Sequence, residues 1–589
     1  MLKLAENGST RYSIRIAPDA NLVTVHAAEE LSRFLEEITG ARFNILTADE
    51  TPEGPVIAVG RPDAVRPDTA RGAGIDLTAL GEEGYALKTA GEDLLIAANP
   101  GRGVLYGVYG LLERFCGCRF FTEDVKRIPK RRVLCIPEPD LTFVPALEYR
   151  DPYFQGYIDP DLHARWGSNS KSSPLGARHG GNMRYKGFVH TFFKLVPPEE
   201  YFDTHPEYFS EIGGVRVRPD GTKVPSQLCL TNPEVARIAA ARIREWLCED
   251  PGARIVSVSQ NDWLGNCQCA ACRAADAEEG SPAGTLLRFV NAVAEDLERD
   301  HPDLIIDTLA YRYTRPAPKK TRPRHNVCVR LCSIECCFAH PLDECGKNDP
   351  ALAGVSDDKT LGSFVDDLRD WAKICDRLYV WDYVVNFKHT LMPFPNLRVL
   401  QPNIRFFLRN HVRGVFEEGN NSSRESGELN ALRQYLTAQL LMDPDFDVDR
   451  GMDEFLAAYY GMAAPSIRAW IDLLHDQITP ETHMWIYDDP DAAYLPDSFL
   501  DASEALFDRA EQVADDDVIL ERVQRLRLSL RYVRLWRQPV GTPGRDAELD
   551  AFFADVRAHG ITSYREAQGL DKVEKYMREG TILKKGYTW

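Results

Sequence analysis

The sequence predicts an α/β protein with a central (β/α)8, TIM-like barrel, a small α/β domain before it and an α-helical region after it. From about residue 145 to 425, short apolar or aromatic segments alternate with amphipathic helical ones. Strand, helix, strand at this repeat length is typical of a parallel sheet, and about eight such strands match a (β/α)8 barrel. The alternation stops near residue 426. We therefore expect domains at 1–140, 145–425 and 426–589.

In the N-terminal domain, the segment TVHAAEELSRFLEEITG predicts a helix, because its apolar residues recur at three- and four-residue spacing. Gly40 stands where a C-terminal cap is expected. PVIAVG and LLIAANP are typical of short buried strands, and GVLYGVYGLLERFCG predicts a second helix. The glycines of NPGRGVLYG lack the spacing of a dinucleotide-binding loop, so we expect no organic cofactor.

Eight segments predict the barrel strands, and each ends in a polar cluster. They are LEYRDPYF (147–154), MRYKGFVHTF (183–192), SQLCLTN (226–232), IVSVSQND (255–262), IIDTLAYRYT (305–314), VCVRLCSIE (327–335), LYVWDYVVNF (378–387) and VRGVFEEGN (412–420). Helical segments such as PEVARIAAARIREWL separate many of them, and the C-terminal region contains helical segments such as ILERVQRLRLSLRYVRLW.

The charge balance excludes a general nucleic-acid binder, because the 589 residues carry 70 Lys and Arg against 89 Asp and Glu, a formal net charge of −19. No segment has the 18 or more uncharged apolar residues of a membrane span. The N-terminus MLKLAENGSTRYSIRI has no apolar run of signal-peptide length. We expect a cytoplasmic protein, or a secreted or periplasmic one whose signal peptide has been removed.

The candidate functional residues are those that close the predicted strands, because the active site of a barrel lies at the C-terminal strand ends. The acids there are Asp262, Glu335, Asp382, Glu417 and Glu418. Beside them stand His190, Asn261, Tyr311, Tyr313, Trp381 and Asn420. Aromatic rings stack on sugars, and paired carboxylates supply the acid and the nucleophile or base of glycosidic cleavage. The pattern therefore indicates a carbohydrate site.

Two of these acids are the strongest candidates for catalysis. Asp262 ends the dense polar run Gln260-Asn261-Asp262 after an apolar strand. Glu335 ends a strand between apolar neighbours, which would raise its pKa toward use as a general acid. The alternative for each acid is a solvated position on the rim or a helix cap.

For Glu417 and Glu418, the alternation of strand side chains allows only one to point toward the barrel axis unless a bulge intervenes. The sequence leaves open which of them it is.

Three of the 14 cysteines form a CxCxxC group, Cys267, Cys269 and Cys272, which makes up most of a tetrahedral zinc site. Cys336, Cys337 or His340 is a possible fourth ligand. The alternatives are a local disulfide or buried free thiols. A structural role is favoured over a catalytic one.

Several long motifs resemble one family. SVSQNDWLGNCQCAACRAADAEEGSPAGTLLRFVNAVAEDL, HTFFKLVPPEEYFDTHPEYFS, QLCLTNPEV and LCSIECCFAHPLD are similar to the bacterial domain of unknown function 4838. Part of that family is classed as glycoside hydrolase family 163, which implies an endo-β-N-acetylglucosaminidase acting on N-glycans. The segment GVLYGVYGLLERFCGCRFF resembles the domain that precedes the barrel in β-hexosaminidases and α-glucuronidases.

The resemblance implies a retaining hydrolase of β-linked N-acetylglucosamine that can use the substrate's 2-acetamido oxygen. Related hexosaminidases carry an adjacent acidic pair at the end of the fourth strand. Counted along the chain, IVSVSQND is the fourth predicted strand, so Asn261 and Asp262 take the place of that pair. We expect Glu335 or Asp262 to be the general acid and Glu418 to assist.

Two alternatives remain at this point. An exo-acting hydrolase of a uronic acid or another hexosamine would use Arg312 or Arg330 to reach a substrate carboxylate. A non-catalytic carbohydrate-binding protein would keep the barrel and its aromatic residues. In each case the expected partner is an oligosaccharide or glycan.

Overall fold

The computed structural model describes residues 1–47, 50–61, 74–220, 223–349, 363–565 and 568–580. The chain forms two compact units. The first contains Met1–Asp151, Tyr157–Asn182 and Gln434–Gly461, and the second contains Pro152–Gly156, Met183–Arg433 and Met462–Trp589. The domain boundaries at residues 140 and 425 stay predictions.

The first unit contains a mixed six-stranded sheet. Its strand order is Asp140–Phe143, Tyr85–Ala90, Asp93–Ala98, Val56–Gly60, Ser13–Ile16 and Ile45–Thr47. The first predicted helix is confirmed as Leu22–Thr39, where the Asn21 side chain accepts a hydrogen bond from Thr24 N and Gly40 (φ 71°) caps the C-terminus. The second predicted helix is confirmed as Arg102–Leu111, followed by a π-helical turn over Leu112–Cys116.

The remaining elements of the first unit are short. Leu2–Glu6 pairs antiparallel with Val133–Ile136, and Arg119–Phe120 with Lys126–Arg127. The other helices are Leu77–Leu80, Pro160–Arg165, Val448–Tyr460 and the part of Asn430–Met442 that begins at Gln434.

A seven-stranded sheet forms the centre of the second unit and confirms the barrel fold class. We number its strands β1 (Tyr149–Tyr153), β2 (Tyr185–Lys186), β3 (Ile255–Ser257), β4 (Ile305–Ala310), β5 (Val327–Cys332), β6 (Leu378–Tyr383) and β7 (Val412–Glu418). Their order is β1-β7-β6-β5-β4-β3-β2, and the pairs from β2 to β7 are parallel. Strand β1 enters this unit at Pro152, and there Gly419 N donates to Tyr153 O.

One predicted strand is wrong. SQLCLTN adds no strand to the sheet of the described residues, and Leu228 makes only an isolated antiparallel bridge with Phe209. Strand β3 therefore pairs directly with β2 and is the third strand of the sheet, not the fourth. It also ends at Ser257, so Asp262 lies in the loop that follows. Asn261 and Asp262 therefore do not take the place of the acidic pair that related hexosaminidases carry at the end of the fourth strand.

Helices surround this sheet and continue to the C-terminus. Between the strands they are Phe192–Leu195, Pro198–Tyr201, Pro233–Glu249, Ala270–Glu279, Pro282–Glu298, Leu342–Cys345, Phe364–Ala372 and Leu400–Arg409. The later ones are Ala464–His475, Asp497–Gln512, Asp517–Arg537, Arg545–Ala558 and Leu570–Glu579. Within the described ranges, no helix combines the length and apolar character needed to cross a membrane.

A buried ion pair lies on the central strands. Arg330 Nε is 3.2 Å from Asp307 Oδ2, and both side chains are fully buried. The Arg330 guanidinium also lies over the ring of Tyr379, 5.2 Å from its centroid. Because side chains alternate along a strand, the residues two positions further on each strand share this face and approach the carboxyl ends.

Candidate active site

A cavity of about 200 Å³ lies at the carboxyl ends of strands β3 to β7. It is lined by His190, Asp262, Leu309, Tyr311, Cys332, Ile334, Trp381, Tyr383, Phe387, Glu418 and Tyr487. Five of the predicted site residues are among them: His190, Asp262, Tyr311, Trp381 and Glu418. The lining therefore combines two carboxylates, one imidazole and several aromatic rings.

The loop that carries Asp262 is held by a single glutamine. Gln227 Nε2 donates to Asn261 O (3.1 Å) and to Trp263 O (2.7 Å), and Gln227 Oε1 accepts from Asn261 N (2.9 Å). The Trp263 indole also donates to Ser226 O at 2.7 Å. The backbone is thus fixed on both sides of Asp262, whose side chain remains 32 % exposed.

His190 lies beside Asp262, with its Nε2 3.8 Å from Asp262 Oδ1. Its Nδ1 is 2.8 Å from the carbonyl oxygen of Gln260, which only an N–H can approach, so Nδ1 carries the proton. Burial lowers the pKa of His190, which favours the neutral ring. The residue has a left-handed backbone (φ 57°), fixed by its N–H donating to Ser259 Oγ. Such conformations cluster at functional sites.

Glu418, the last residue of β7, supplies the second carboxylate. Its Oε2 accepts a hydrogen bond of 2.7 Å from the Trp381 indole nitrogen. Tyr383 is in register with it on the neighbouring strand β6. The edge-to-face contact between Trp381 and Phe416, with centroids 4.7 Å apart, fixes the indole. Glu418 is therefore held by a hydrogen bond from an indole that packs against a second aromatic ring.

Three tyrosines are among the lining residues: Tyr311, Tyr383 and Tyr487. Burial raises the pKa of Tyr311 and Tyr383 well above 10, so both hydroxyls stay protonated and can donate to a ligand. Tyr383 was missed in the sequence, although it follows Trp381 by two residues on the same strand face. Tyr487 could not be found, because it comes from a helix-connecting segment with no strand pattern.

Asp382 and Glu417 do not line the cavity, because they lie on the opposite strand face. They are neighbours in the β6–β7 register. Asp382 Oδ1 accepts from Ser333 Oγ at 2.5 Å, and burial raises the pKa of Asp382 to about 6. Burial and the charge of Asp382 raise the pKa of Glu417 well above 4.5. Of these two adjacent acids, Glu418 therefore faces the cavity and Glu417 does not.

Glu335 is buried outside the cavity lining and forms an ion pair with Arg315. The same arginine contacts Asp367, with Nε 2.6 Å from Oδ2. Arg315 itself has no exposed side-chain surface. Glu335 is therefore part of a buried ionic network, an arrangement that suits a structural role better than proton donation to a substrate.

Three other predicted binding residues lie outside the lining. Asn261 accepts from Phe193 N through its side chain, and Asn420 donates to Ser423 O and Ser426 Oγ. Tyr313 is in the short 3-10 turn Arg312–Thr314, and burial raises its pKa.

Cys229 is the fourth member of the CxCxxC group, in place of Cys336, Cys337 or His340, which were the possible fourth ligands. Cys229 comes from SQLCLTN, the segment that forms no barrel strand. Cys337 and His340 belong to a separate group with Cys345 and His483.

The first unit contains a larger cavity, of about 470 Å³. Acids in its lining form ion pairs with arginines: Glu454 with Arg119 and Asp443 with Arg114. None of the predicted site residues lines it. The candidate active site is therefore not chosen by size.

Comparison with known families identifies the chain. The model for Domain of unknown function (DUF4838) matches residues 120–472, more than half of the 589 residues. The chain belongs to the DUF4838 family. The DUF4838 match contains every cavity-lining residue except Tyr487. A second model, Glycosyl hydrolase family 67 N-terminus, matches residues 6–111. No curated protein matches the chain.

Several solved structures similar to this DUF4838 protein are glycoside hydrolases. A family GH115 4-O-methyl-α-glucuronidase with specificity for decorated arabinogalactans has a TM-score of 0.55 and 13% identity, over 95% of this chain and 77% of that one. A family 89 glycoside hydrolase from Clostridium perfringens has a TM-score of 0.49 and 10% identity, over 91% of this chain and 65% of that one. A GH138 enzyme targeting pectin rhamnogalacturonan II has a TM-score of 0.48 and 10% identity, over 93% of this chain and 91% of that one. The first likeness shows a shared fold, and together with the N-terminal match it supports a glycosidase.

Proposed function

We propose that the protein is a glycoside hydrolase and that the cavity at the ends of β3 to β7 is its active site. The observation that carries this proposal is the presence of two carboxylates, Asp262 and Glu418, in one aromatic-lined cavity. They come from β7 and the loop after β3, with three strands between them. Cleavage of a glycosidic bond requires a proton donor at the leaving oxygen and a second group that stabilises charge at the anomeric carbon.

The lining favours an uncharged sugar. Of the residues that the structure describes in this lining, none is arginine or lysine, so the lining offers no cationic side chain to the carboxylate of a uronic acid. Arg330 is buried with Asp307, and Arg312 lies outside the lining. Trp381 offers a ring for stacking, and the tyrosine hydroxyls are donors for sugar oxygens. These contacts disfavour the uronic-acid alternative.

The proposed substrate is a β-linked N-acetylglucosaminide, cleaved with retention of configuration. Asp262, in its acid form, gives its proton to the glycosidic oxygen. The bond from C1 to that oxygen breaks, and its electron pair stays on the leaving oxygen. The substrate's acetamido oxygen bonds to C1 and forms a cyclic oxazolinium. The Asp262 carboxylate then takes a proton from water, whose oxygen attacks C1 and reopens the ring.

Glu418 is the assisting group in this scheme. Held by the Trp381 indole, its carboxylate would accept the acetamido N–H and stabilise the positive charge of the oxazolinium. Burial favours the neutral form of His190, so its ring adds no positive charge to the cavity.

The test is an activity panel on the full chain. It comprises an aryl β-N-acetylglucosaminide, an aryl β-glucoside, an aryl α-glucuronide and an intact N-glycoprotein. We expect cleavage of the N-acetylated substrates only, with release from the glycoprotein indicating endo action. Inhibition by a thiazoline analogue of the oxazolinium would support the acetamido route, and an active enzyme unaffected by it would overturn that route.

Asp262→Asn and Asp382→Asn form the matched pair for the catalytic claim. Both remove one carboxylate near a strand end, but only Asp262 lines the cavity. Glycan binding by the wild type without turnover of any substrate, unchanged by Asp262→Asn, would leave only a carbohydrate-binding function.

A further inference from the structure

We infer that Cys229, Cys267, Cys269 and Cys272 bind one zinc ion. Their sulfur atoms all lie within 4.8 Å of one another, and each residue is between 2 and 8 % exposed. Cys229 Sγ is 3.8 Å from Cys269 Sγ and 3.9 Å from Cys272 Sγ. A Zn–S bond of about 2.3 Å in tetrahedral geometry gives sulfur separations of about 3.8 Å. We call this group the four-cysteine cluster.

The surroundings of the four-cysteine cluster suit thiolates. Glu211 N donates to Cys267 Sγ at 3.4 Å, and Arg216 Nη1 lies 3.5 Å from the same sulfur. Thr231 Oγ1 is 3.2 Å from Cys272 Sγ. A zinc ion with four thiolates carries two net negative charges, which N–H and O–H donors and one guanidinium stabilise. All four cysteines are free of disulfide bonds, so the spacing is that of ligands and not of bonded pairs.

The cluster joins three chain segments around the Asp262 loop. Cys229 belongs to the segment that contains Gln227, and the other cysteines follow Asp262 in the chain. The third segment is the hairpin of Glu211–Ile212 and Val215–Arg216, where Gln268 N donates to Glu211 O at 2.7 Å. A bound zinc would fix these segments to one another. Its effect on catalysis through Asp262 rests on the proposed function, whereas its presence does not.

A second group of possible ligands, which shares no residue with the four-cysteine cluster, points to a second zinc site. Cys337, His340, Cys345 and His483 place their ligand atoms within 4.8 Å of one another. His340 Nδ1 is 3.7 Å from Cys337 Sγ, and His483 Nδ1 is 3.6 Å from Cys345 Sγ. His340 Nε2 is 2.9 Å from Thr479 O, so it carries the proton and leaves Nδ1 as the ligand atom. We call this the Cys2His2 group.

The Cys2His2 group joins the loop after β5 to the segment that carries Tyr487. In that region Phe338 N donates to Met484 O and Phe387 N donates to Ile486 O. Zinc at this site would reinforce these main-chain contacts and keep Tyr487 in the cavity wall.

The experiment measures metal in the full-length protein by plasma mass spectrometry after growth with zinc. We expect two zinc ions per wild-type chain, one in Cys229→Ser, one in His483→Ala and none in the double variant. Cys248→Ser, an exposed cysteine outside both groups, should keep both ions. An unchanged zinc content in Cys229→Ser overturns the first site, and in His483→Ala it overturns the second.

If the variants fail to fold, measurements on the wild-type protein still test both sites. Protein produced with cobalt in place of zinc should show the intense sulfur-to-cobalt absorption of tetrahedral thiolate sites. Wild-type protein that contains neither zinc nor cobalt, contains iron instead, or has disulfides among these cysteines in its intact mass overturns both assignments. These readouts do not depend on glycosidase activity, so they separate the zinc sites from the proposed function.

Discussion

Asp262 and Glu418 line the candidate active site. Asp382 and Glu417 lie near the same strand ends, but they are buried on the opposite strand face. Glu417 and Glu418 are adjacent in sequence, yet the alternation of side chains along β7 sends them to opposite faces. Glu418 accepts a hydrogen bond from Trp381, whereas Glu417 is buried beside Asp382, and burial raises the pKa of both of these acids. A carboxylate on one of these strands thus becomes a catalytic candidate only when it lies on the face that lines the cavity.

The largest expected effect separates Asp262→Asn from Asp382→Asn. Loss of a general acid should lower kcat/KM on the order of 10³-fold for Asp262→Asn, because such catalysis contributes about 10²–10⁴-fold. The kcat/KM of Asp382→Asn should stay within a few fold of the wild-type value. The loss should shrink for aryl substrates with acidic leaving groups, which need less protonation. Equal losses across leaving groups would contradict proton donation by Asp262.

The next effect is on stability and concerns Glu335. Glu335→Gln should lower the free energy of unfolding by about 3 kcal/mol, because it removes one of the carboxylates that pair with the buried Arg315 guanidinium. The measurement is urea denaturation, with kcat/KM corrected for the folded fraction. A 10³-fold loss of activity in fully folded Glu335→Gln would instead restore Glu335 as the general acid.

Trp381→Phe tests how Glu418 is held. The variant keeps an aromatic ring but removes the N–H that donates to Glu418. Hydrogen bonds to charged groups contribute about 1.5–3 kcal/mol, so we expect roughly a tenfold decrease in kcat. Tyr379→Phe, beneath the cavity, is the control and should have little effect. Unchanged kcat in Trp381→Phe would show that Glu418 needs no such anchor.

The smallest effect is pH-dependent and concerns Glu417. Its folded pKa is raised, so the wild type loses stability as pH rises above the unfolded value, where only the unfolded state ionises freely. Glu417→Gln cannot ionise. Its stability relative to wild type should therefore increase as the pH rises from about 4 to about 7. Denaturation curves at both pH values check this, and a difference that does not vary with pH would contradict the buried, protonated state.

The sequence predicted the fold class well because strand and helix periodicities differ and the segments are long. It failed at SQLCLTN, whose apolar residues suit a strand but whose backbone instead bridges to Phe209 and supplies a cysteine to the four-cysteine cluster. Glu335 illustrates the limit for the site. Its apolar flanks were visible, but its partner Arg315 lies 20 residues earlier in the chain and became apparent only in three dimensions.

Tyr487 has a consequence for how the protein can be divided. It completes the cavity wall, yet it lies more than 60 residues beyond the last barrel strand. A fragment ending at residue 425 would retain both carboxylates and the tryptophan but lose Tyr487 from the wall of the candidate cavity. If the cavity binds the proposed sugar, substrate preference can therefore be altered by changing residues outside the barrel, with every strand of the sheet left intact.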